Sequence, residues 1–384
     1  MSGSTAGVPL LDVARGNDPL RQEFLQALAE VIDSGRFLFG PDVTALEQEI
    51  ATLCQVDHAI GCASGSDALL LALMALGIQP GDEVIVPSFT FFASVSCITR
   101  LGATPIFADI RPDTFNVDPA AIEAAITPRT RAIIPVHLFG QCAEIDSICR
   151  MAAARDIPVV EDAAQAIGAA YHSRPAGSWG QIGCFSFYPT KNLGGMGDGG
   201  LLTAGDKATA DHLRLIAAHG MQPRYHHKVV GINSRLDTFQ AAVLRVKMRH
   251  LPQGVVARQA NAQRYFDLFQ QARLTDAITL PTVDRNAYHV WNQFAIRVPE
   301  GQRDALRGHL TQRGIGSEIY YPIPVHRQEC YLDLGWKEGS LPETERACRE
   351  ILNLPIYPEL REDEQVQVVE AIRGFYQQSV RKAA

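Results

Sequence analysis

The chain reads as an α/β protein, with a large domain built on a mostly parallel sheet flanked by helices and a smaller C-terminal α+β domain. Three observations predict this. Short β-branched apolar runs alternate with amphipathic helical stretches from about Glu83 to Ala204, the signature of a parallel sheet covered on both faces. The pattern then changes around Pro252 to a long helix and a second, mixed set of elements. Finally, 384 residues exceed one ordinary domain. The expected division is 1–252 and 253–384. With 46% hydrophobic and 20% charged residues, the chain can bury a large core and is not disordered.

The elements follow in order. Asp18-Pro19 supplies an N-cap and a proline for the first helical position, and Leu20, Phe24, Leu28, Val31 and Ile32 share a face that Gly35 closes. Val43, Leu46 and Ile50 mark a second helix over Pro41–Cys54. Strand-like runs sit at 83–87, 105–109, 131–136, 158–162, 184–187 and 200–204, with helices at Ser66–Leu76, Pro119–Ile126 and Ala143–Ala154. A short apolar helix covers Phe239–Val246. The second domain opens with a helix near Gly254–Ala272, followed by a strand at 289–298, a helix Arg303–Arg313 closed by Gly314, a strand at 316–324, and helices near Glu343–Leu352 and Glu362–Gln377.

Composition excludes several function classes. A net charge of −7, from 35 basic and 42 acidic residues, argues against a general nucleic-acid binder. No apolar run approaches the roughly 18 residues of a membrane-spanning helix, and the N-terminus lacks the pattern of a secretory signal. Eight scattered cysteines with no C-x-x-C read as reduced thiols, so a cytoplasmic enzyme is expected. His219, His226 and His227 lack metal-site spacing, and no metal is expected.

Only six of the 35 basic residues are lysines, and the first of them is Lys191. It follows a strand, sits in F-S-F-Y-P-T-K-N-L-G-G-M-G-D-G-G, and has no acidic residue within six positions. An amine in such an apolar, glycine-lined place has its charged form disfavoured, which is what a Schiff-base nucleophile requires; an exposed loop lysine is the competing reading. Gly195–Gly200 satisfies G-x-G-x-x-G, but it leads into a strand instead of opening a helix, against a dinucleotide site. Asp162 closes the run Pro158-Val159-Val160-Glu161, at a strand's carboxyl end where ligands gather. There it can hold a proton on a heterocyclic nitrogen, cap a helix, or both. Gln165 is placed to offer an amide to a phenolic oxygen, or to solvent. The segment Gly61-Cys62-Ala63-Ser64-Gly65-Ser66 opens an apolar helix, giving either an anion site for one phosphate or an ordinary cap. In Pro87-Ser88-Phe89-Thr90-Phe91-Phe92-Ala93 one aromatic is placed to stack on a planar group, or the phenylalanines join the core. Asn233 and Arg235 precede an apolar helix that Asn233 alone could cap. His326, after Tyr320-Tyr321-Pro322-Ile323-Pro324, is a substrate contact or a buried hydrogen-bonded residue.

Taken in order, G-S-D-A-L, E-D-A-A-Q, S-F-x-x-x-K and G-x-N-S-R-L resemble the sugar-nucleotide aminotransferases of the DegT/DnrJ/StrS family, fold type I enzymes that use pyridoxal 5′-phosphate (PLP). The similarity runs from about Leu38 to Pro358. It implies that Lys191 forms the Schiff base with PLP and shuttles the proton, that Asp162 pairs with the pyridine nitrogen, and that Gln165 faces the ring hydroxyl. It further implies that Phe91, where some members carry Trp, covers one ring face, and that Gly65, Ser66 and Ser186 hold the phosphate. Asn233 would reach across from the second subunit of a homodimer. Arg235, Tyr321 and His326 are the candidates for the sugar-nucleotide side. The implied reaction is a ping-pong transamination from glutamate to a nucleotide-linked ketosugar. Lys191 separates the chain from the dehydratase branch, which has histidine there. Asn233–Asp237, with Ser234 where others have Tyr, and Y-Y-P-I-P-x-H-x-Q at 320–328 look closer to 3-keto than to 4-keto enzymes. A non-catalytic regulator of the same fold is the alternative.

Overall fold

A computed structural model describes residues 7–299 and 301–383. Seven strands organise the N-terminal unit: β1 (His58–Cys62), β2 (Glu83–Pro87), β3 (Thr104–Ala108), β4 (Thr130–Ile133), β5 (Val160–Asp162), β6 (Ile182–Ser186) and β7 (Gly200–Ala204). They form a three-stranded sheet, β3-β2-β4, and a four-stranded sheet, β5-β6-β7-β1. Isolated parallel bridges Ile133↔Val159 and Val136↔Asp162 run one into the other. β7 is antiparallel to both of its neighbours; the β2–β3, β2–β4 and β5–β6 pairs are parallel. β2 is buried along its whole length, as a strand covered on both faces should be.

The helices fall close to their expected places. Gly35 closes Arg21–Ser34 in the left-handed conformation (φ 63°), which a residue lacking Cβ adopts at no steric cost. Pro41–Cys54 begins on its proline. Gly65–Ala75 carries apolar residues all round, and Ala68 to Leu73 are buried. Such a helix belongs in an interior, with only its N-terminus free to face a ligand. Among the described residues no helix is long and apolar enough to cross a membrane.

Three expectations for the C-terminal unit are corrected. The strand expected at 289–298 is confined to β8 (Phe294–Arg297). Ahead of it, Trp291 has φ 49°, and its N–H goes to His289 Nδ1. The N–H groups of Val290 and Asn292 go to the carbonyls of Gly140 and Phe139. With its donors committed to the N-terminal unit and to its own His289, this stretch cannot join a ladder. The run 316–324 is no strand either. Glu318 exchanges backbone hydrogen bonds with Asn353 and Gly316 donates to Val8, while Pro322 and Pro324 have no N–H to give. The helix expected to reach Leu352 ends at Glu350, and Ile351–Leu354 is β9, antiparallel to β8. Its extended backbone lets Leu352 and Leu354 enter the core around Tyr265, Phe269 and Phe294, which a further helical turn would point elsewhere. The same core takes in Val8 from the N-terminus. Asp109, just past β3, caps the helix Pro342–Glu350 across the two units by accepting the N–H groups of Glu343 (3.0 Å) and Thr344 (2.8 Å), a contact of about 1 kcal/mol.

Candidate active site

A cleft of about 620 Å³ opens at the carboxyl ends of the parallel strands, where open α/β sheets place their ligands. The loop after β2 supplies Thr90 and Phe91, β5 ends in Asp162, β6 ends in Ser186, and Lys191 follows it. From the C-terminal unit, Asn292, Gln293, Tyr320 and Tyr321 close the wall. Those are the stretches that gave up their strands.

One end of the cleft is a helix N-terminus. Ser64 is its cap, accepting the N–H of Asp67 at 3.1 Å, so Ser64 does the capping and the neighbouring Gly65 and Ser66 line the cleft. The first N–H groups of a helix have no intrahelical acceptor, and together with the dipole they favour an anion. A Cβ at Gly65 would lie 2.6 Å from the Cβ of Ser186, and one at Gly200 would lie 2.3 Å from the Ser64 carbonyl oxygen. Only glycine lets these backbones close around the helix start. Gly200 is also the end of the G-x-G-x-x-G run, which leads into β7 as expected.

Lys191 stands part-exposed on the cleft wall. Desolvation pushes its amine down to about 8, against the opposing pull of Asp162. The sign is that of a buried cation: the ammonium form, dominant below about pH 8, is the penalised one, and the free amine gains as pH rises through that value. Beside it, Asn192 donates to the Val290 carbonyl (2.9 Å) and accepts from Asn292 (3.0 Å), tying the lysine loop to the C-terminal unit.

Asp162 is 5% exposed. Its Oδ2 accepts the Ser94 hydroxyl at 2.6 Å and its Oδ1 accepts the Ala164 N–H at 3.2 Å, so it holds partners for a buried charge. Glu161, next to it, points the other way: it accepts the N–H groups of Gly177, Trp179 and Gly180 and pairs with His137 Nε2 at 2.9 Å. Since His137 Nδ1 already accepts the Ala143 N–H, Nε2 carries the proton and donates to Glu161. Gln165 Oε1 accepts the Phe139 N–H at 2.7 Å. That fixes the amide with its NH₂ toward the Tyr321 hydroxyl, its hydrogen-bond partner, whose pKa burial raises. Phe91 is 58% exposed, its ring centroid 6.2 Å from that of Tyr321; Phe89 is the core phenylalanine of the loop.

The structure therefore gathers Gly65, Ser66, Phe91, Asp162, Gln165, Ser186, Lys191 and Tyr321 around one cavity. It does not bring in Asn233, Arg235 or His326. Asn233 is exposed, its backbone bridged to Ala218, and Arg235 lies over the Phe39 ring at 5.7 Å. His326 is corrected from a substrate contact to a core residue. It is fully buried, with Nδ1 2.7 Å from Ser88 Oγ and Nε2 3.4 Å from Glu345; burial lowers its pKa. Sequence reading missed Thr90, Ser94, Asn192 and Asn292. Thr90 and Ser94, one helical turn apart after a strand, gave the one signal that could have been read.

Comparison with known proteins bears on the whole chain. It is 47% identical over 369 residues to a protein of Geobacillus stearothermophilus named "Pleiotropic regulatory protein", covering 96% of this chain and 98% of that one. It is 45% identical to the dTDP-3-amino-3,4,6-trideoxy-alpha-D-glucose transaminase of Streptomyces venezuelae, covering 97% of each. Among solved structures it matches S. venezuelae DesV, in complex with a ketimine intermediate, at TM-score 0.93 and 44% identity, over 97% of this chain and 99% of that one. It matches ntda of Bacillus subtilis with bound cofactor pmp at TM-score 0.89 and 33% identity, over 97% and 85%. The model of the DegT/DnrJ/EryC1/StrS aminotransferase family covers residues 18–373, and to that family the chain belongs.

Proposed function

We propose that the chain moves an amino group from glutamate to a nucleotide-linked ketosugar, with PLP as its resident cofactor, and that the keto group stands at C3. One observation carries the reading. A single cavity holds a desolvated amine (Lys191), a hydrogen-bonded carboxylate (Asp162) and a helix N-terminus crowded against Ser186. These three features fit the aldehyde, ring nitrogen and phosphate of one small molecule. The cradle at Gly65, which even a methyl group would fill, fits a phosphate lying close to the backbone.

In this reading Gly65, Ser66 and Ser186 hold the phosphate, Asp162 keeps the ring nitrogen protonated, Gln165 meets the ring oxygen, and Phe91 covers one face. Bound PLP supplies an electron sink for the carbanion left when a proton is removed. Lys191 holds the aldehyde and, as a free amine, moves that proton. Tyr321 borders the space left for the sugar. We assign Arg235 to the nucleotide side, and Asn233 to the site of a second copy, within a homodimer. Exposed apolar side chains at Phe37, Leu38, Phe39, Tyr225 and Val230 supply surface for such a partner. The fold type I assignment, the division at 252/253 and a cytoplasmic place belong to the same proposal. The dTDP-3-amino name of the transaminase relative supports the C3 preference.

The experiment is a panel of dTDP-, UDP- and GDP-linked 3-keto and 4-keto sugars, each given with glutamate. At least one 3-ketosugar is expected to yield an aminosugar nucleotide and one equivalent of 2-oxoglutarate, identified by mass and NMR. Cofactor binding without 2-oxoglutarate from any substrate would favour the regulatory reading that the name of the Geobacillus relative suggests.

A further inference from the structure

Asp162 does not stand alone behind the cleft. Ser94 Oγ lies 2.6 Å from Asp162 Oδ2 and 2.8 Å from Thr90 Oγ1. All three residues are almost wholly buried, Ser94 at 1% and Thr90 at 2% exposure. Thr90 lines the cleft, and Ser94 sits in the first turn of the helix Ala93–Arg100.

Counting protons gives this trio a direction. A hydroxyl has one proton to donate and two lone pairs. The Ser94 proton goes to the carboxylate, at a length typical of a charge-assisted O–H···O⁻ bond. Thr90 must therefore be the donor in the second contact. The chain of donation runs from Thr90 to Ser94 to Asp162, and the Thr90 oxygen keeps only lone pairs for the cleft. Each Asp162 oxygen accepts one hydrogen bond, Oδ2 from Ser94 and Oδ1 from the Ala164 N–H at 3.2 Å, so the carboxylate keeps lone pairs for a ring N–H.

We propose that Ser94 is a positioning residue for Asp162 and that Thr90 holds Ser94 in its donor role, so that two hydroxyls set the orientation of the carboxylate. The proposal rests on the role given to Asp162 above. A buried carboxylate with one strong side-chain partner swings when that partner is lost; in metal sites, removal of such outer partners lowers affinity by about tenfold or more, and a loss of that scale is expected here. Since Thr90 acts only through Ser94, its loss matters only while Ser94 is present.

The test is a cycle of Thr90→Val, Ser94→Ala and the double variant, with Ser94→Thr as the conservative control. Two quantities are read on each protein: PLP affinity of the apoprotein, from quenching of intrinsic fluorescence, and thermal stability without cofactor. Ser94→Ala is expected to weaken PLP binding about tenfold and Thr90→Val about threefold, with Ser94→Thr within about twofold of the parent. The double variant is expected to match Ser94→Ala in both readouts, because the two hydroxyls act as one unit. Wild-type affinity in Ser94→Ala, or additive losses in the double variant, would overturn the relay. Should Ser94→Ala fail to fold, Ser94→Thr and Thr90→Val decide alone, and the relay falls if the first is impaired or the second is not. Should the parent apoprotein take up no PLP, the cofactor reading fails, while the cofactor-free stability cycle still decides whether the hydroxyls are coupled.

Discussion

Lys191→Ala is expected to lose the visible absorbance of the PLP-loaded protein and to drop turnover by on the order of 10⁴-fold, because it removes both the nucleophile and the base. No other described lysine stands in the cleft. Lys207 pairs with Asp211 on an exposed helix face, and Lys228 donates to Gln222. Lys247 is the instructive rival. Burial lowers its pKa too, and its ammonium lies 5.9 Å from the Phe24 ring, but it lines no part of the cavity. A lowered pKa is common to both lysines, and only Lys191 also has the carboxylate and the anion site. Lys247→Ala should therefore keep absorbance and turnover. Stopped-flow spectra with glutamate, compared across the two variants, check the pair.

Asp162→Asn is expected to keep PLP bound but to slow the chemical step by about 10²–10³-fold, the scale seen when one preorganised electrostatic partner of a transition state is removed. The substitution preserves shape and keeps one acceptor oxygen, enough for Ser94 or for Ala164 but not for both, since the NH₂ stands where the other oxygen was. What it takes away is the negative charge that holds a proton on the ring nitrogen. Single-turnover rates with glutamate read the step directly, and a rate within about threefold of the parent would remove Asp162 from this role.

Much of the site was legible because its residues sit at strand ends, where position in sequence and position in space coincide. Lys191 and Asp162 each end or follow a short apolar run, Gly65 opens an apolar helix, and the fold brings these points to one rim. Side chains carried by irregular segments were not legible in this way. The runs at 289–293 and 320–324 hold the aromatic and β-branched residues of a strand, and only the structure reveals that their backbone donors are committed to Gly140 and Phe139, or are missing at prolines. Those segments bring Asn292 and Tyr320 to the cleft, which no periodicity announced. His326 failed for the opposite reason. A histidine among tyrosines and prolines reads as a substrate contact or as a buried hydrogen-bonded residue, and Ser88, just past β2, captures it in the core. Ser94 was not legible, since its place in the first turn of the helix Ala93–Arg100, a helix the sequence pattern did not announce, emerges only in the structure.

The most direct measurement is hydride trapping of the PLP-loaded protein, followed by proteolysis and mapping of the modified peptide. The label is expected on the peptide containing Lys191, at one equivalent per chain, and absent from the peptide containing Lys247. A label on any other lysine, or on none, would contradict the reading of this cleft from its first residue onward.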